Sequence, residues 1–228
     1  FLMNNFSLNP VLPSKEQIQQ LPIFQNLPLQ QIQVIHSLQQ CHAIEQELKT
    51  CALFGFDTES KPTFNKGEVS TGPHLIQLAS RDKAYLFQIS PAILEFLKPI
   101  FENKNQMKVG FGLKNDAHLF RKKGIELHNV IELSKCFSAF GLSNPMGLKN
   151  AMALLFQVNF PKSKKTSTSN WARKILTPHQ IEYAAADAYA PVLVFEELLR
   201  LGQLPKTMTR HLFKFSMQPN TIKAETDA

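Results

Sequence analysis

Cysteine is scarce in this chain: Cys41, Cys51 and Cys136 are the only three in 228 residues, and none stands in a CxxC spacing. An odd set without that spacing argues against a disulfide framework or a zinc site, and for buried thiols in a reducing compartment. Long hydrophobic runs are missing too. Residues 17–44 carry no Asp, Glu, Lys or Arg, yet Pro22, Pro28 and many glutamines interrupt them, so they do not read as a membrane span. The amino end, residues 1–13, holds no basic segment followed by an apolar run, so no secretory leader is expected. These absences predict a soluble cytoplasmic protein, with Phe1 and Leu2 ahead of Met3 open to being non-native additions.

Acid is in short supply as well. Eighteen Asp and Glu against 25 Lys and Arg leave a formal charge of +7, which favours polyanionic partners without specifying a fold. Hydrophobic residues at 43% and charged residues at 19% exclude a disordered chain, and the length suits one domain with extensions. We divide the chain into an N-terminal extension (residues 1–30), a domain (31–201) and a C-terminal tail (202–228).

Within the extension, which is rich in Pro, Asn and Gln, a short helix is expected around Lys15–Leu21. Gln33–Ile35 is a candidate short strand. Ser37, with Gln40 three residues on, opens a predicted helix that runs to about Lys49. The apolar run Cys51–Phe56 reads as a buried strand leading into Asp57. His74–Ala79 and Ala84–Ile89, joined by a short charged turn, predict an antiparallel pair. Pro91–Phe101 is a predicted helix, Met107–Phe111 a strand, Asn115–Lys123 a helix closed by Gly124, and Val130–Leu133 a further strand. Beyond Ser134 the pattern is helical. Gly147–Phe156 fits one helix and residues 178–200 a longer one, whose start is marked by Thr177, Pro178 and Gln180 as cap, first-turn proline and capping box. Strands followed by helices indicate an α/β layer fold with a mixed sheet.

Three places in this pattern carry chemistry. Asp57 and Glu59 stand two apart at a strand end, so their carboxylates share a face and concentrate negative charge that cations would neutralise; a solvated strand end is the plainer alternative. Asp116 follows the strand Met107–Phe111 at the start of a helix, where it is read either as a ligand or as an N-terminal cap. Tyr183 and Asp187 lie four apart on one helical face, among the small residues Ala184, Ala185, Ala186 and Ala190, or else they are core and an ion-pair partner.

Taken in order, these segments resemble the tyrosine branch of the DEDD 3′–5′ exonucleases, the group that includes ribonuclease D and the Werner-type exonuclease domain. The resemblance rests on Phe56-Asp57-Thr58-Glu59 with Leu75-Ile76-Gln77-Leu78-Ala79, and on the run from Val109 to Asp116. It is completed by Ser169-Asn170-Trp171 with Leu176-Thr177 and the run from Gln180 to Ala188. It spans about Ile32 to Leu199. The histidine branch places its base five residues before the last aspartate, here Glu182, whereas Tyr183 sits four before Asp187. Ser60 stands where several relatives have tryptophan, and the residues after it resemble small single-domain bacterial members.

The resemblance implies a ribonuclease-H-like fold with a five-stranded mixed sheet flanked by helices. It also implies two divalent cations, Mg²⁺ or Mn²⁺: one held by Asp57, Glu59 and Asp187, the other by Asp57 and Asp116. Hard cations prefer carboxylate oxygen, consistent with four acids and no His/Cys set. Tyr183 would orient the attacking water. The implied partner is single-stranded or 3′-overhang DNA or RNA, shortened from its 3′ end to nucleoside 5′-monophosphates. The rival is a catalytically inactive nucleic-acid-binding module of the same fold, against which the retained acids and Tyr183 argue.

Further substrate contacts are sought in Thr58, in Phe111 and Leu113 as apolar wedges, and in the acid-free segment 160–174. That segment carries Lys162, Lys164, Lys165, Arg173 and Lys174. It reads as a phosphate-contacting rim or as a solvated lysine run. Lys164 is the family-guided choice among these cations. Trp171, the sole tryptophan, is read as a packing anchor in preference to a stacking platform.

Overall fold

A computed structural model describes residues 10–63, 67, 71–142 and 145–205. Phe1, Leu2 and the rest of residues 1–9, part of the segment after Ser60 (64–66), and most of the expected tail (206–228) lie outside the described residues.

The first half mixes helices and strands: α1 (Lys15–Gln20), β1 (Ile32–Ile35), α2 (Leu38–Ala43), α3 (Glu45–Thr50), β2 (Leu53–Glu59), β3 (Leu75–Ala79), β4 (Ala84–Gln88), α4 (Pro91–Phe101), β5 (Met107–Gly110), α5 (Lys114–Lys122) and β6 (Val130–Glu132). Three α-helices follow, α6 (Leu148–Phe156), α7 (Lys164–Ser167) and α8 (Pro178–Arg200). Among the described residues the sheet has six strands in the order β1-β4-β3-β2-β5-β6. β3 runs antiparallel to both neighbours, and the other pairings are parallel.

The mixed α/β sheet flanked by helices is as expected; the strand number is not five but six. The sixth strand is β1, the candidate at Gln33–Ile35, which pairs in parallel with β4 at the sheet edge, Ile32 opposite Ala84 through Ile35 opposite Phe87. Only Ile35 of this strand is buried, so its membership depends on a distant partner more than on a local apolar pattern. The helix expected from Ser37 to about Lys49 is also two helices, broken at Ile44 (φ −111°, ψ 4°), with Glu45 and Glu47 opening the second. Ser37 caps the first, accepting from the Gln40 N–H.

Alternation along β2 decides what each layer receives. Phe54 and Phe56 enter the core on the α4 and α5 side, together with Leu97, Phe101 and Phe120. Gly55, Asp57 and Glu59 therefore face α8. Helix and strand approach closely there because both are lined by small residues: Ala184, Ala185 and Ala188 are buried. At Gly55 an added Cβ would stand 1.8 Å from the Ala188 carbonyl oxygen, so only glycine lets α8 pack at this distance. α8 itself starts where the sequence places it. Thr177 and Gln180 form a reciprocal capping box with Pro178 in the first turn.

Candidate active site

The end of β2 and the middle of α8 bring three acids together. One ligand atom from each of Asp57, Glu59 and Asp187 lies within 4.8 Å of the others. Asp187 is 3% exposed, and its Oδ1 has no hydrogen-bond partner among the described residues. Its Oδ2 lies 4.0 Å from the Lys162 ammonium. Pro191, one turn on, has no N–H to offer the Asp187 backbone carbonyl.

Asp116 joins this group through Thr58. The Thr58 hydroxyl donates to Asp116 Oδ1, while the Thr58 N–H donates to Asp57 Oδ1 at 2.8 Å. The turn carrying Asp116 is held from a neighbouring strand. Helix α5 has no capping side chain of its own; the Glu132 carboxylate accepts instead from the N–H groups of Gly112 (3.0 Å) and Leu113 (2.7 Å). A carboxylate on those free N–H groups stabilises the helix start and sets where Asp116 points.

Electrostatically the cluster is under tension. Burial raises the Asp57 carboxyl well above the usual carboxylate range, and repulsion from Asp187, Glu59 and Asp116 adds to it. Glu59 is pushed up to about 8 by burial and by Asp187, with Lys162 opposing. Burial also raises Asp116, against the Thr58 hydrogen bond, and Asp187, against Lys162 and the Tyr183 phenol. Tyr183 is raised in turn by burial and by the charges of Asp187 and Glu59, so its phenol stays protonated at neutral pH. Buried like charges with an orphaned oxygen are costly unless a cation neutralises them. An all-oxygen donor set fits a hard divalent cation and does not fit a soft one.

The other sequence-predicted residues fall into two groups. Tyr183 is at the cluster; its ring packs 6.0 Å from Trp171. Trp171 itself is 1% exposed and donates from its indole to the Ser167 carbonyl at 3.1 Å, an anchor rather than a platform. Gln180 links that anchor to α8, donating to Ser169 Oγ (2.9 Å) and the Asn170 carbonyl (3.3 Å). Leu113 is 3% exposed and lies in the core, so it presents no wedge; Phe111 is half-buried against the core. Lys164 is exposed at the start of α7, and the cation brought to the carboxylates is Lys162, two residues earlier.

Three contributors, Glu132, Gly55 and Gln77, carried no site expectation from the sequence, and a fourth was named only within a group. Lys162 was one of several lysines in a loop whose path no periodicity specifies. Glu132 acts across strands, and Gly55 acts through its lack of a side chain. Gln77 sits opposite Asp57 in the β2–β3 register, fully buried, with neither amide atom hydrogen-bonded among the described residues. For Gln77 a signal existed: a polar residue in an otherwise apolar strand.

Comparison with known proteins agrees with this geometry. A family model described as 3′-5′ exonuclease matches residues 32–203. The mouse bifunctional 3′-5′ exonuclease/ATP-dependent helicase WRN is 31% identical over 169 residues, 70% of this chain but 12% of that protein. Among solved structures, the Nibbler EXO domain of Aedes aegypti superposes with a TM-score of 0.68 at 21% identity, covering 83% of this chain and all of that one. Ribonuclease D of Trypanosoma brucei, in complex with RNA U12, superposes at 0.66 and 15% identity, covering 93% of this chain and 77% of that one. With three acids converging on the α8 face of a ribonuclease-H-like sheet, and with that family match across most of its length, the chain belongs to the 3′-5′ exonuclease family.

Proposed function

We propose that this chain is a divalent-cation-dependent 3′–5′ exonuclease that hydrolyses the terminal phosphodiester of a single-stranded or 3′-overhang nucleic acid, releasing nucleoside 5′-monophosphates. The observation that carries this reading is the convergence of Asp57, Glu59 and Asp187, one oxygen of Asp187 having no hydrogen-bond partner among the described residues. T. brucei ribonuclease D, which shares the fold, has been crystallised with RNA.

In this reading Asp57, Glu59 and Asp187 hold one Mg²⁺ or Mn²⁺, and Asp116, steadied by Thr58 and Glu132, completes a second site with Asp57. Two such cations neutralise phosphate charge, activate a water and support the leaving oxygen. Tyr183, protonated, positions that water by hydrogen bonding; a phenol held above its ordinary pKa is no base at neutral pH. Water oxygen bonds to phosphorus, the bond from phosphorus to the penultimate 3′ oxygen breaks, and that oxygen leaves with a proton. Lys162 supplies a compact positive charge beside Asp187, where the phosphate would lie.

Cytoplasmic location is part of the same proposal, supported by three free thiols. Among the described residues no helix is long and apolar enough to cross a membrane.

Time-resolved cleavage of 5′-labelled single-stranded DNA and RNA tests the reading, run with Mg²⁺, Mn²⁺ or EDTA beside Asp57→Asn. A metal-dependent ladder shortening from the 3′ end, lost in the variant, is expected. Tight binding of both strands without any cleavage would move the assignment to an inactive binding module.

A further inference from the structure

Residues 21–31 are not draped loosely over the domain. Ile23 bridges Asn159 in parallel, with Phe24 N–H donating to the Asn159 carbonyl at 3.0 Å and Asn159 N–H to the Pro22 carbonyl at 2.8 Å. Phe24 is buried, its ring 5.2 Å from Phe160 and 6.2 Å from Tyr189. Leu27 is buried among Trp171 and the small residues of α8. Asn26 donates at 2.9 Å to the backbone carbonyl of Glu182, the residue next to Tyr183. The segment is thus pinned at three points along the flank of α8.

Pinned there, it walls a cavity of about 340 Å³ with Pro161, Ser163, Thr166 and the 179–186 face of α8. Two features set this cavity apart from a packing defect. Its walls include Ile23 and Leu29, which stay 54% and 57% exposed although apolar. It also shares residues with the acid cluster. Tyr183 lines it, and the Tyr183 phenol also interacts with Asp187. Pro161 and Ser163 line it too, and between them stands Lys162, 4.0 Å from Asp187.

We infer that this cavity receives the base of a nucleotide flanking the scissile phosphate, and that residues 22–29 are a substrate-binding element of this chain. The inference rests on the exonuclease reading above. A nucleobase has flat apolar faces and polar edges, and the cavity offers both counterparts: Ile23, Leu27, Leu29 and Pro161 for the faces, Asn26 and Thr166 for the edges. Charge complements it. Lys162, Lys164 and Lys165 sit on the same segment as Pro161 and Ser163, so a strand whose base enters the cavity carries its phosphates past ammonium groups and on to the carboxylates. Four of the apolar wall residues, Ile23, Phe24, Leu27 and Leu29, lie before residue 32, where the match to the family model begins. The cavity is therefore walled on one side by the segment that precedes the family match and on the other by residues within it. A base enclosed there cannot stay paired, so the element favours unpaired 3′ ends and melts the last pair of a duplex only at a cost.

The test combines cleavage and binding with the full chain. Labelled DNA 12-mers, intact or carrying an abasic residue at the last or the penultimate position, are compared between wild type and the Ile23→Ala/Leu29→Ala double variant. Both side chains are exposed, so the variant is expected to fold. Steady-state cleavage gives kcat and KM; fluorescence anisotropy with Ca²⁺ in place of Mg²⁺ gives affinity without depending on turnover. The expected result is that one of the two abasic strands binds wild type roughly tenfold more weakly than the intact strand, the scale of one lost stacking base. The variant should bind the intact strand as weakly as that, and should not distinguish it from the abasic one. Its loss should appear in KM far more than in kcat. Wild type indifferent to both abasic positions, or a variant weakened equally on intact and abasic strands, overturns the inference. Unchanged binding by the variant does so too, and assigns Ile23 and Leu29 to another occupant, such as a protein partner. Base-dependent binding without cleavage in Mg²⁺ or Mn²⁺ would sink the exonuclease reading and leave the cavity assignment standing.

Discussion

Two charged sites lie at this sheet, one fully buried and one half-buried, and they are opposite in kind. Lys108, in the middle of β5, is fully buried, yet its ammonium donates to the carbonyls of Asn103 and Gln106, both at 2.9 Å. Its charge closes the turn that precedes its own strand. Asp57, Glu59 and Asp187, at the far end of β2 and on α8, repel one another and leave an oxygen orphaned. A buried charge matched by neighbouring dipoles serves the fold. Like charges crowded together by the surrounding packing, with only Lys162 4.0 Å from Asp187 to offset them among the described residues, mark a place where something else must bind.

The comparison breaks most sharply at Asp57. Asp57→Asn should lower turnover by roughly 10³-fold or more, since that carboxylate contributes to both proposed cation sites. The same variant should melt at or above the wild-type temperature in EDTA, because one of the repelling groups is gone. A large drop in both activity and melting temperature would mean that Asp57 is a structural residue like Lys108.

Tyr183→Phe sharpens the division of labour within the cluster. Turnover should fall by roughly 10²-fold, the scale of a lost positioning or proton-handling group, while the rise in melting temperature on adding Mn²⁺ should persist. Equal loss of the Mn²⁺ shift would place Tyr183 among the groups that shape the metal site.

Gly55→Ala tests whether packing holds the acids together. The new Cβ cannot coexist with the Ala188 carbonyl, so α8 must move. We expect destabilisation of about 1–3 kcal/mol and a turnover loss of roughly tenfold, as Asp187 shifts with its helix. Denaturant unfolding and steady-state kinetics measure the two effects. Lost stability with unchanged kcat would show that the cluster tolerates helix movement.

Lys108 gives the smallest and most specific effect. Burial lowers its pKa from 10.5 to about 8, so between those values the unfolded chain binds more protons than the native state. Native stability should therefore rise as pH rises from about 8 towards 10.5. Lys108→Met should flatten that rise and leave kcat at neutral pH unchanged. A persisting slope in chemical denaturation across that range would assign it to other groups.

Much of the site was legible locally. Two acids two apart after an apolar run must share a strand face, and Tyr183 and Asp187 four apart must share a helix face. The start of α8 followed from Thr177, Pro178 and Gln180 alone. Boundaries set by local chemistry came out well, as at Ser37, Pro91 and Gly124. Elements that depend on distant partners came out less well. The strand at Gln33–Ile35 was legible but its place beside β4 was not, and the break at Ile44 has no proline or glycine to announce it. Lys164 was preferred over Lys162 because a loop has no period from which a side chain's direction can be read. Leu113 looked like an available apolar group because burial is decided by what packs on it.

The sequence by itself determined the alternation of β2, the start and face of α8, and hence which acids would be presented and in which direction. These depend on the two-residue and 3.6-residue periods of the backbone and on hydrogen bonds within a few residues. The tertiary structure alone decided how far apart the acids sit, that Lys162 is the cation beside them, that Glu132 sets the Asp116 turn, and that the extension walls a cavity against Tyr183. Those outcomes depend on the distance between α8 and the sheet. A glycine and a row of alanines make that distance short, and it exists only once residues far apart in the chain have packed.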